Sequence, residues 1–149
     1  MSGDDRYTAY CGLYCKDCIP SNERLFATVD SLDALLEEVR FENYAALKAK
    51  GLPVFADYVT FKSVLRELKT LRCKALCTEG GCKENCRIRG CVMEKGIRGC
   101  WLCEKFEACE LHESLKSYHP ALVHNLLMIK SYGPDDWSDK RGKHYRWSR

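Results

Sequence analysis

Cysteine is the residue type that most constrains this chain, because eleven of its 149 residues are cysteines. The cysteines form two blocks, and residues 19–72 between them contain none. The blocks comprise Cys11, Cys15 and Cys18, and then Cys73, Cys77, Cys82, Cys86, Cys91, Cys100, Cys103 and Cys109. Thiols at this density are oxidised to disulfides, bind metal ions or hold an iron–sulfur cluster. The choice among these three states decides what kind of protein the chain forms.

The length and the start of the chain favour reduced thiols. A length of 149 residues predicts one domain, residues 1–149, with a core that needs no disulfides. The polar start shows no secretory signal, and no apolar run approaches the roughly 20 residues that span a bilayer. We therefore expect a cytoplasmic protein without a membrane segment, in a compartment that keeps thiols reduced. The odd number of cysteines also prevents full pairing within the chain.

Apolar side chains recur at helical spacing in three stretches, and no stretch shows the alternation of a strand. The predicted helices start at Asp30 or Ser31, after Pro53 and at Pro120, and Gly51 ends the first of them. Their apolar stripes are Leu32, Leu35, Leu36, Val39 and Leu47; Val54, Tyr58, Phe61, Leu65 and Leu68; and Leu122, Val123, Leu126, Leu127 and Ile129. Amphipathic helices without a sheet must pack on one another. We therefore predict a mostly α fold, a small helical domain whose core is formed by these stripes.

The cysteine-containing segments lack this periodicity. Residues 10–20 are predicted to form a cysteine loop, followed by a short helix that Ser21 caps. Residues 72–110 are predicted to form a cysteine-rich, metal-stabilised lobe of short turns, because glycine recurs there, with one helical stretch near residues 87–95. Residues 138–149 are predicted to be a loose basic tail with five positive charges.

Two Cys-x2-Cys pairs indicate tetrahedral zinc. Cys15–Cys18 and Cys100–Cys103 each place two thiols on one tight turn, and a structural zinc ion binds four such ligands. The candidate ligands are Cys11, Cys15, Cys18, Cys77, Cys82, Cys86, Cys91, Cys100, Cys103 and Cys109. Ten thiols fill two four-ligand sites and leave a remainder, so we expect about two zinc ions per chain. The first block offers only three thiols, so we expect it to meet the second block in space.

Iron–sulfur chemistry is the alternative that the spacing leaves open. The spacing Cys11-x3-Cys15-x2-Cys18 is the one with which radical S-adenosylmethionine enzymes hold a [4Fe–4S] cluster, but the strands and length of their barrel are missing here. Other cysteines could hold a cluster, because iron–sulfur ligand spacings vary. Thiolate-rich sites without a redox role favour zinc. His112 could replace one thiol ligand, although an exposed helix position is the simpler interpretation.

The remaining residues give little support for catalysis. No glycine-rich phosphate loop is present, and the four histidines all lie late in the chain, away from any free nucleophile. Basic side chains interleave with the thiols, where they either offset the charge of thiolate sites or face phosphates. Trp101, inside the second Cys-x2-Cys pair, is expected to shield the metal. The sequence therefore leans against an enzyme without excluding one.

Three motifs carry a resemblance to a known family. They are Tyr10-Cys11-Gly12-Leu13-Tyr14-Cys15-Lys16-Asp17-Cys18; Cys86-Arg87-Ile88-Arg89-Gly90-Cys91 with Glu94-Lys95-Gly96; and Cys100-Trp101-Leu102-Cys103 running on to Cys109. Over nearly its whole length the chain resembles a prokaryotic family, the domain of unknown function three-seven-nine-five, whose closing helix is similar to Asn125-Leu126-Leu127-Met128-Ile129-Lys130 followed by Gly133 and Trp137. The resemblance implies metal binding through the cysteines and carries no established activity. The family often has a Cys-x2-Cys pair entering the second block, where this chain has Cys73-x3-Cys77 and Cys77-x4-Cys82, so the identity of the spare thiol stays open.

Structural zinc in a binding or adaptor module is the function that these features favour, with an unidentified protein as the partner. A redox or iron–sulfur protein of an enzyme system is the alternative. Weak nucleic-acid binding is a further alternative, because cations and aromatic residues share the tail. The net charge of +3 is small, however, and acidic residues dilute the basic character of the lobe. Nucleic acid is therefore not expected as a partner.

Overall fold

The computed structural model describes residues 4–149, which fold into α-helices joined by short 3-10 turns. The helices are α1 (Asp4–Tyr7), α2 (Glu23–Glu38), α3 (Phe41–Lys48), α4 (Tyr58–Thr70), α5 (Arg87–Glu94), α6 (Glu113–Lys116) and α7 (Leu122–Tyr132). The described residues contain no strand and only one isolated bridge, between Thr8 and Tyr14. The prediction of a mostly α fold is confirmed. None of these helices has the length and apolarity that crossing a membrane requires.

The chain divides into two compact units. Unit 1 combines the start of the chain up to Ser21 with residues 73–149, and unit 2 comprises Asn22–Arg72. The two segments of unit 1 join where the Cys73 N–H donates to the Pro20 carbonyl oxygen at 2.8 Å. All eleven cysteines lie in unit 1. The single domain expected from the sequence stays a prediction.

Unit 2 begins with a capped helix. The Asn22 side-chain oxygen accepts the Leu25 N–H at 3.0 Å, which satisfies one free donor at the start of α2. The predictions of Ser21 as the cap and of a helix boundary at residues 30–31 are wrong, because α2 is continuous across that boundary. It ends before Arg40, whose φ of 52° is left-handed and cannot continue a helix. The segment predicted as one helix is therefore divided between α2 and α3.

This helix break displaces the predicted apolar stripe. The buried apolar residues of unit 2 are Phe26, Val29, Ala45 and Leu65. Exposed instead are Leu32, Leu35, Val39, Leu47, Val54 and Phe61, all predicted as core. Val54 is 71% exposed because it lies in the 3-10 turn Pro53–Asp57 and not on α4. The core assignment therefore holds for Leu65 and is wrong for these six side chains. For Leu32, Leu35, Val39 and Leu47 the reason is that one stripe on a continuous helix becomes two different faces at α2 and α3.

Charged side chains connect α2 to α4. Asp33 on α2 forms ion pairs with Lys62 and Lys69 on α4, and the Lys69 Nζ lies 2.5 Å from its Oδ2. Hydrogen bonds from these two lysines lower the pKa of the Asp33 carboxyl below its ordinary value. Arg72, just after α4, pairs with Glu23 at the start of α2 at 2.6 Å. The pairs fix the register of the two helices, although exposed ion pairs add little stability on their own.

Helices α5 and α7 form the framework of unit 1. The prediction of a helical stretch near residues 87–95 is confirmed by α5, and the predicted helix end at Gly133 is confirmed by α7. Pro120 lies just before α7 and not in its first turn. The packed core consists of Tyr14, Ile88, Val92, Cys100, Trp101, Phe106, Leu122, Leu126, Ile129 and Trp137. Cysteine loops and helices therefore share one core.

The tail is folded onto unit 1, which corrects the prediction of a loose segment. Trp137 is 0% exposed, and its Nε1–H donates to the Thr8 hydroxyl at 2.8 Å. The Gly142 N–H donates to the side-chain oxygen of Asn125 at 2.9 Å. His144 is 4% exposed. Polar residues dominate the tail, but its buried rings and specific hydrogen bonds fix it in place.

Candidate metal centres

All eleven cysteines are free thiols, and the two blocks meet within unit 1. The Cys100 N–H donates to the Tyr10 carbonyl oxygen at 2.8 Å, and the Cys77 backbone hydrogen-bonds the Cys15 sulfur. The first block therefore contacts the second, as its three thiols led us to expect. Together the thiols line two separate cavities.

The smaller cavity has a volume of about 30 Å³ and is lined by four thiols. These are Cys91, Cys100, Cys103 and Cys109. Cys91 lies on α5, Cys100 and Cys103 lie at the two ends of one tight turn, and Cys109 follows the next turn. The first of these turns closes through a hydrogen bond from the Cys103 N–H to the Cys100 carbonyl oxygen at 2.9 Å. Three chain segments thus bring four soft ligands to one small space.

The pKa values of two thiols in this cavity are shifted in opposite directions. Burial first, and then neighbouring thiols such as Cys109, raise the pKa of Cys100 to about 12. The pKa of Cys103 is lowered instead, first by a hydrogen bond from the Lys105 backbone and also by the Lys95 ammonium. The Lys95 Nζ lies 3.4 Å from the Cys103 sulfur. Buried thiolates need positive charge, and Lys95 supplies part of it at the rim.

His112 also lines the smaller cavity and is 0% exposed. The prediction of an exposed position is wrong, because His112 ends a short turn that packs against α5. Burial lowers the pKa of its imidazole, and a hydrogen bond with the Phe106 backbone opposes that shift. His112 is therefore a fifth potential ligand beside the four thiols.

The larger cavity has a volume of about 650 Å³ and is lined by the other seven thiols. These are Cys11, Cys15, Cys18, Cys73, Cys77, Cys82 and Cys86. Cys73 is among them, although its spacing left it out of the predicted ligand set. The feature of the sequence that could have indicated Cys73 as a ligand is its position four residues before Cys77. Seven thiols exceed the four that one tetrahedral ion can bind.

We group four of the seven as an inner group, Cys11, Cys15, Cys77 and Cys86, while the Cys82 thiol also raises the pKa of Cys15 and Cys77. Burial is the main cause of the raised pKa of Cys15, about 11, and it also raises the pKa of Cys11 and Cys77. The Cys77 thiol raises the pKa of both Cys11 and Cys15 further. Cys86 in turn acts on Cys11 and Cys77. The Leu13 backbone hydrogen-bonds the Cys11 sulfur. The inner group thus joins two thiols of the first block to two of the second.

The other three form an outer group: Cys18, Cys73 and Cys82. Burial raises the pKa of Cys18, and a hydrogen bond with the Tyr145 hydroxyl, 3.5 Å from the sulfur, opposes that shift. The Cys73 and Cys82 thiols raise the pKa of Cys18 further. The Cys82 thiol also hydrogen-bonds that of Cys73. The outer group therefore lies beside the folded tail.

Two tail-side histidines border the larger cavity. His144 and His119 both line it, at 4% and 5% exposure. Neither ring nitrogen of His144 has a hydrogen-bond partner, whereas the His119 Nδ1 lies 2.5 Å from the His144 carbonyl oxygen. Burial lowers the pKa of both imidazoles, that of His144 to about 4, so both rings are neutral at pH 7. No sequence signal points to His144, since its segment lacks periodicity.

Arg89 on α5 holds the loop that carries Cys82. Its guanidinium donates to the carbonyl oxygens of Gly81, Lys83 and Glu84 at 2.7, 2.9 and 2.8 Å. Its charge also opposes the raised pKa of the Cys77 thiol. Arg89 therefore acts on the Cys77 thiol through its charge and also positions the backbone around Cys82.

The side chains that line the two cavities offer sulfur donors, which suit zinc. Across residues 4–149, no three histidine, cysteine, aspartate or glutamate side chains stand in a finished metal-binding arrangement. The thiols line their cavities without converging on one point. Four thiols around one small cavity nevertheless match the ligand set of a structural zinc ion.

A known protein family matches the part of the chain that contains the cysteine motifs. A family model described as protein of unknown function (DUF3795) matches residues 7–114. No curated protein and no solved structure matches the chain. The matched range contains both cysteine blocks and the whole of unit 2. Because it covers more than half of the sequence, the chain belongs to the DUF3795 family.

Proposed function

We propose that this chain is a zinc-binding protein in which zinc has a structural role. The observation that carries the proposal is the smaller cavity, where four thiols from three segments line about 30 Å³. Zinc binds four thiolates in a tetrahedron, with Zn–S distances of about 2.3 Å. The ligands of this first centre are Cys91, Cys100, Cys103 and Cys109. Four thiolates complete the coordination, so His112 serves to exclude water from the site.

The inner group of the larger cavity is the second proposed centre. Cys11 and Cys15 come from the start of the chain, and Cys77 and Cys86 come from the lobe. A metal ion bound by all four would clamp the two segments together and couple folding of unit 1 to metal binding. The two centres account for the two zinc ions that the sequence leads us to expect.

If the metal ions are structural, a partner must bind to another surface of the chain. Features of unit 2 support this adaptor role. It contains no cysteine, so none of the proposed metal ligands comes from it. Its exposed apolar side chains include Leu35, Val39, Leu47, Val54, Val59 and Val64. Exposed apolar surface on a soluble unit is typical of a protein-binding face. The proposed partner is therefore another protein.

Metal analysis of the full chain, purified without oxygen, tests the proposal. Cys100→Ser is expected to lose one zinc ion per chain, and Cys77→Ser is expected to lose a different one. The double variant should lose both, because the two centres share no ligand. Zinc-free wild-type protein, or full zinc content in both single variants, would contradict the proposal.

The larger cavity favours one second candidate, a [4Fe–4S] cluster. Its volume of about 650 Å³ and its seven thiols exceed what a single ion needs. A cluster needs four thiolates and more space. Anaerobic protein would then be brown and contain iron and sulfide in equal amounts, while the smaller cavity kept its zinc. Colourless protein with zinc alone would exclude this candidate.

Nucleic-acid binding is not part of the proposal. Two of the tail cations are engaged within the chain, because Arg141 pairs with Asp17 and Lys140 pairs with Asp139. A folded, partly neutralised tail offers phosphates fewer free charges than a loose one.

A further inference from the structure

Three thiols remain once the two proposed four-thiol centres are assigned, since four and four account for eight of the eleven. We infer that these three, Cys18, Cys73 and Cys82, bind one zinc ion together with the imidazole of His144. The inference rests on the proposed function, because the other eight thiols must be engaged elsewhere. Three thiolates and one neutral imidazole are a common ligand set for tetrahedral zinc.

The three thiols are brought together by local structure. Cys18 follows a 3-10 turn, and its carbonyl oxygen accepts the Ser21 N–H at 3.1 Å. Cys73 returns to the same place after unit 2, because its N–H donates to the Pro20 carbonyl oxygen at 2.8 Å. Cys82 hydrogen-bonds Cys73 through its thiol. The outer group therefore brings thiols from three separate segments to one side of the larger cavity.

His144 supplies the independent observation that points to a ligand. Its side chain lines the same cavity, is 4% exposed and leaves both ring nitrogens without a hydrogen-bond partner. A buried polar group without a partner is rare in folded proteins, and a bound ion is one of the few explanations. A metal–nitrogen bond would satisfy one of these nitrogens.

Neighbouring residues fix His144 at the edge of the outer group. The His119 ring lies 4.5 Å from the His144 ring, and its Nδ1 contacts the His144 carbonyl oxygen. The Tyr145 hydroxyl lies 3.5 Å from the Cys18 sulfur. The Arg146 N–H donates to the Tyr118 carbonyl oxygen at 3.1 Å. The tail is thus anchored on both sides of the imidazole, and the residue that follows His144 contacts Cys18.

The backbone at Cys82 is strained in a way that suits a ligand. Its φ of 64° is left-handed, a conformation that residues other than glycine seldom adopt. Strain of this kind is retained where the surrounding structure enforces it, and it concentrates at functional sites. The three hydrogen bonds from Arg89 to the carbonyl oxygens of residues 81, 83 and 84 enforce it here. Arg89 is therefore a positioning residue for the Cys82 thiol.

His112 does not compete for this role. It is also a buried histidine, but the Phe106 backbone hydrogen-bonds its ring, and it lines the smaller cavity, where four thiols already complete a site. His119 is a weaker candidate than His144, because its Nδ1 is already engaged. The twelfth ligand is therefore assigned to His144.

Native mass spectrometry of the full chain, loaded with zinc alone under reducing conditions, tests the inference. Wild-type protein should bind three zinc ions. His144→Ala should bind two, as should Cys18→Ser. The matched control is His124→Ala, which removes an exposed imidazole that does not line the cavity and should leave three ions.

A rescue variant separates ligation from packing. His144→Cys offers a thiolate in place of the imidazole and should restore the third ion. With cobalt in place of zinc, the same variant should shift the visible ligand-field bands toward those of four-sulfur coordination. A purely structural role of His144 predicts no such rescue and no such shift.

The outcomes distinguish this inference from the proposed function. Three ions in His144→Ala would overturn the inference. Two ions in wild-type protein, each lost separately in Cys100→Ser and Cys77→Ser, would also overturn it and would leave the proposed function intact. No zinc in any form would overturn both.

Discussion

The conformation of Gly12 sets the path of the first cysteine block. Its φ of 80° is left-handed, and a Cβ built at this position would lie 2.8 Å from a carbon of Leu126 on α7. The Gly12 N–H donates to the Ala9 carbonyl oxygen at 2.9 Å. The loop between Cys11 and Cys15 can therefore turn this closely against α7 only with glycine at this position.

Gly12→Ala is expected to destabilise unit 1. The left-handed conformation alone costs about 1–2 kcal/mol for a residue with a Cβ, and the contact with Leu126 adds to this. Urea unfolding measures the change. Gly90→Ala is the matched control: its added methyl group meets open space within α5, so a gain of about 0.5–1 kcal/mol is expected. Equal stability of Gly12→Ala and wild type would contradict the described turn.

Short spacing explains which site residues the sequence could predict. The pairs Cys15–Cys18 and Cys100–Cys103 lie on single turns, so spacing alone places their thiols together. Cys73 joins the larger cavity through its contact with Pro20, and His144 joins through the folded tail. Contacts between residues so far apart in sequence depend on the tertiary fold, which spacing does not encode.

The ends of the helices in unit 2 depend on single side chains. Asn22, and not Ser21, caps α2, because its side chain reaches the Leu25 N–H. Arg40 follows α2 with a left-handed backbone conformation, which cannot continue the helix and which its residue type does not predict. Once that break is missed, the apolar pattern is assigned to one face and Leu35 and Leu47 are placed in the core by mistake. By contrast, Gly133 marks the end of α7 correctly, because glycine at a helix end has a direct conformational reason.

Asn22→Ala should lower the free energy of unfolding by about 1 kcal/mol, since it removes the cap of α2. Ser21→Ala should change it by much less. Chemical denaturation monitored by helical circular dichroism compares the two variants. The opposite order would show that Ser21 is the cap after all.

The ion pairs of Asp33 give α2 and α4 a defined pH dependence. Its pKa is lowered in the folded protein by Lys62 and Lys69, so the unfolded state binds the proton more tightly. The stabilisation is present above the ordinary aspartate pKa of about 3.9 and is lost as pH falls through the lower folded value. Asp33→Asn should therefore melt at a lower temperature than wild type at pH 7. That difference should vanish in acid; a constant difference at every pH would contradict the pairing.

At the scale of the whole molecule, the cysteines divide the chain chemically. All of them lie in unit 1, where loops and 3-10 turns dominate residues 73–112, whereas unit 2 is built from α2, α3 and α4. A loop-rich segment with few regular hydrogen bonds gains most from metal crosslinks. The mostly α class followed from helical periodicity, but the division into units did not, because it depends on long-range contacts.

Removal of zinc should therefore loosen unit 1 and leave unit 2 helical. After chelation under reducing conditions, hydrogen exchange should accelerate within residues 73–112. Residues 23–38 and 58–70 should keep their protection, because no thiol lies in them. Uniform loss of protection throughout the chain would show that the metal supports both units equally.

X-ray absorption at the zinc edge, on full-length protein purified without oxygen, tests the central claim most directly. Thiolate-bound structural zinc predicts a first shell dominated by sulfur at about 2.3 Å, with one light nitrogen scatterer if His144 is a ligand. Gly90→Ala and His124→Ala are the controls, and both should keep the sulfur intensity of the wild-type shell. A shell of oxygen and nitrogen alone, or protein that carries iron where zinc is expected, would contradict the account.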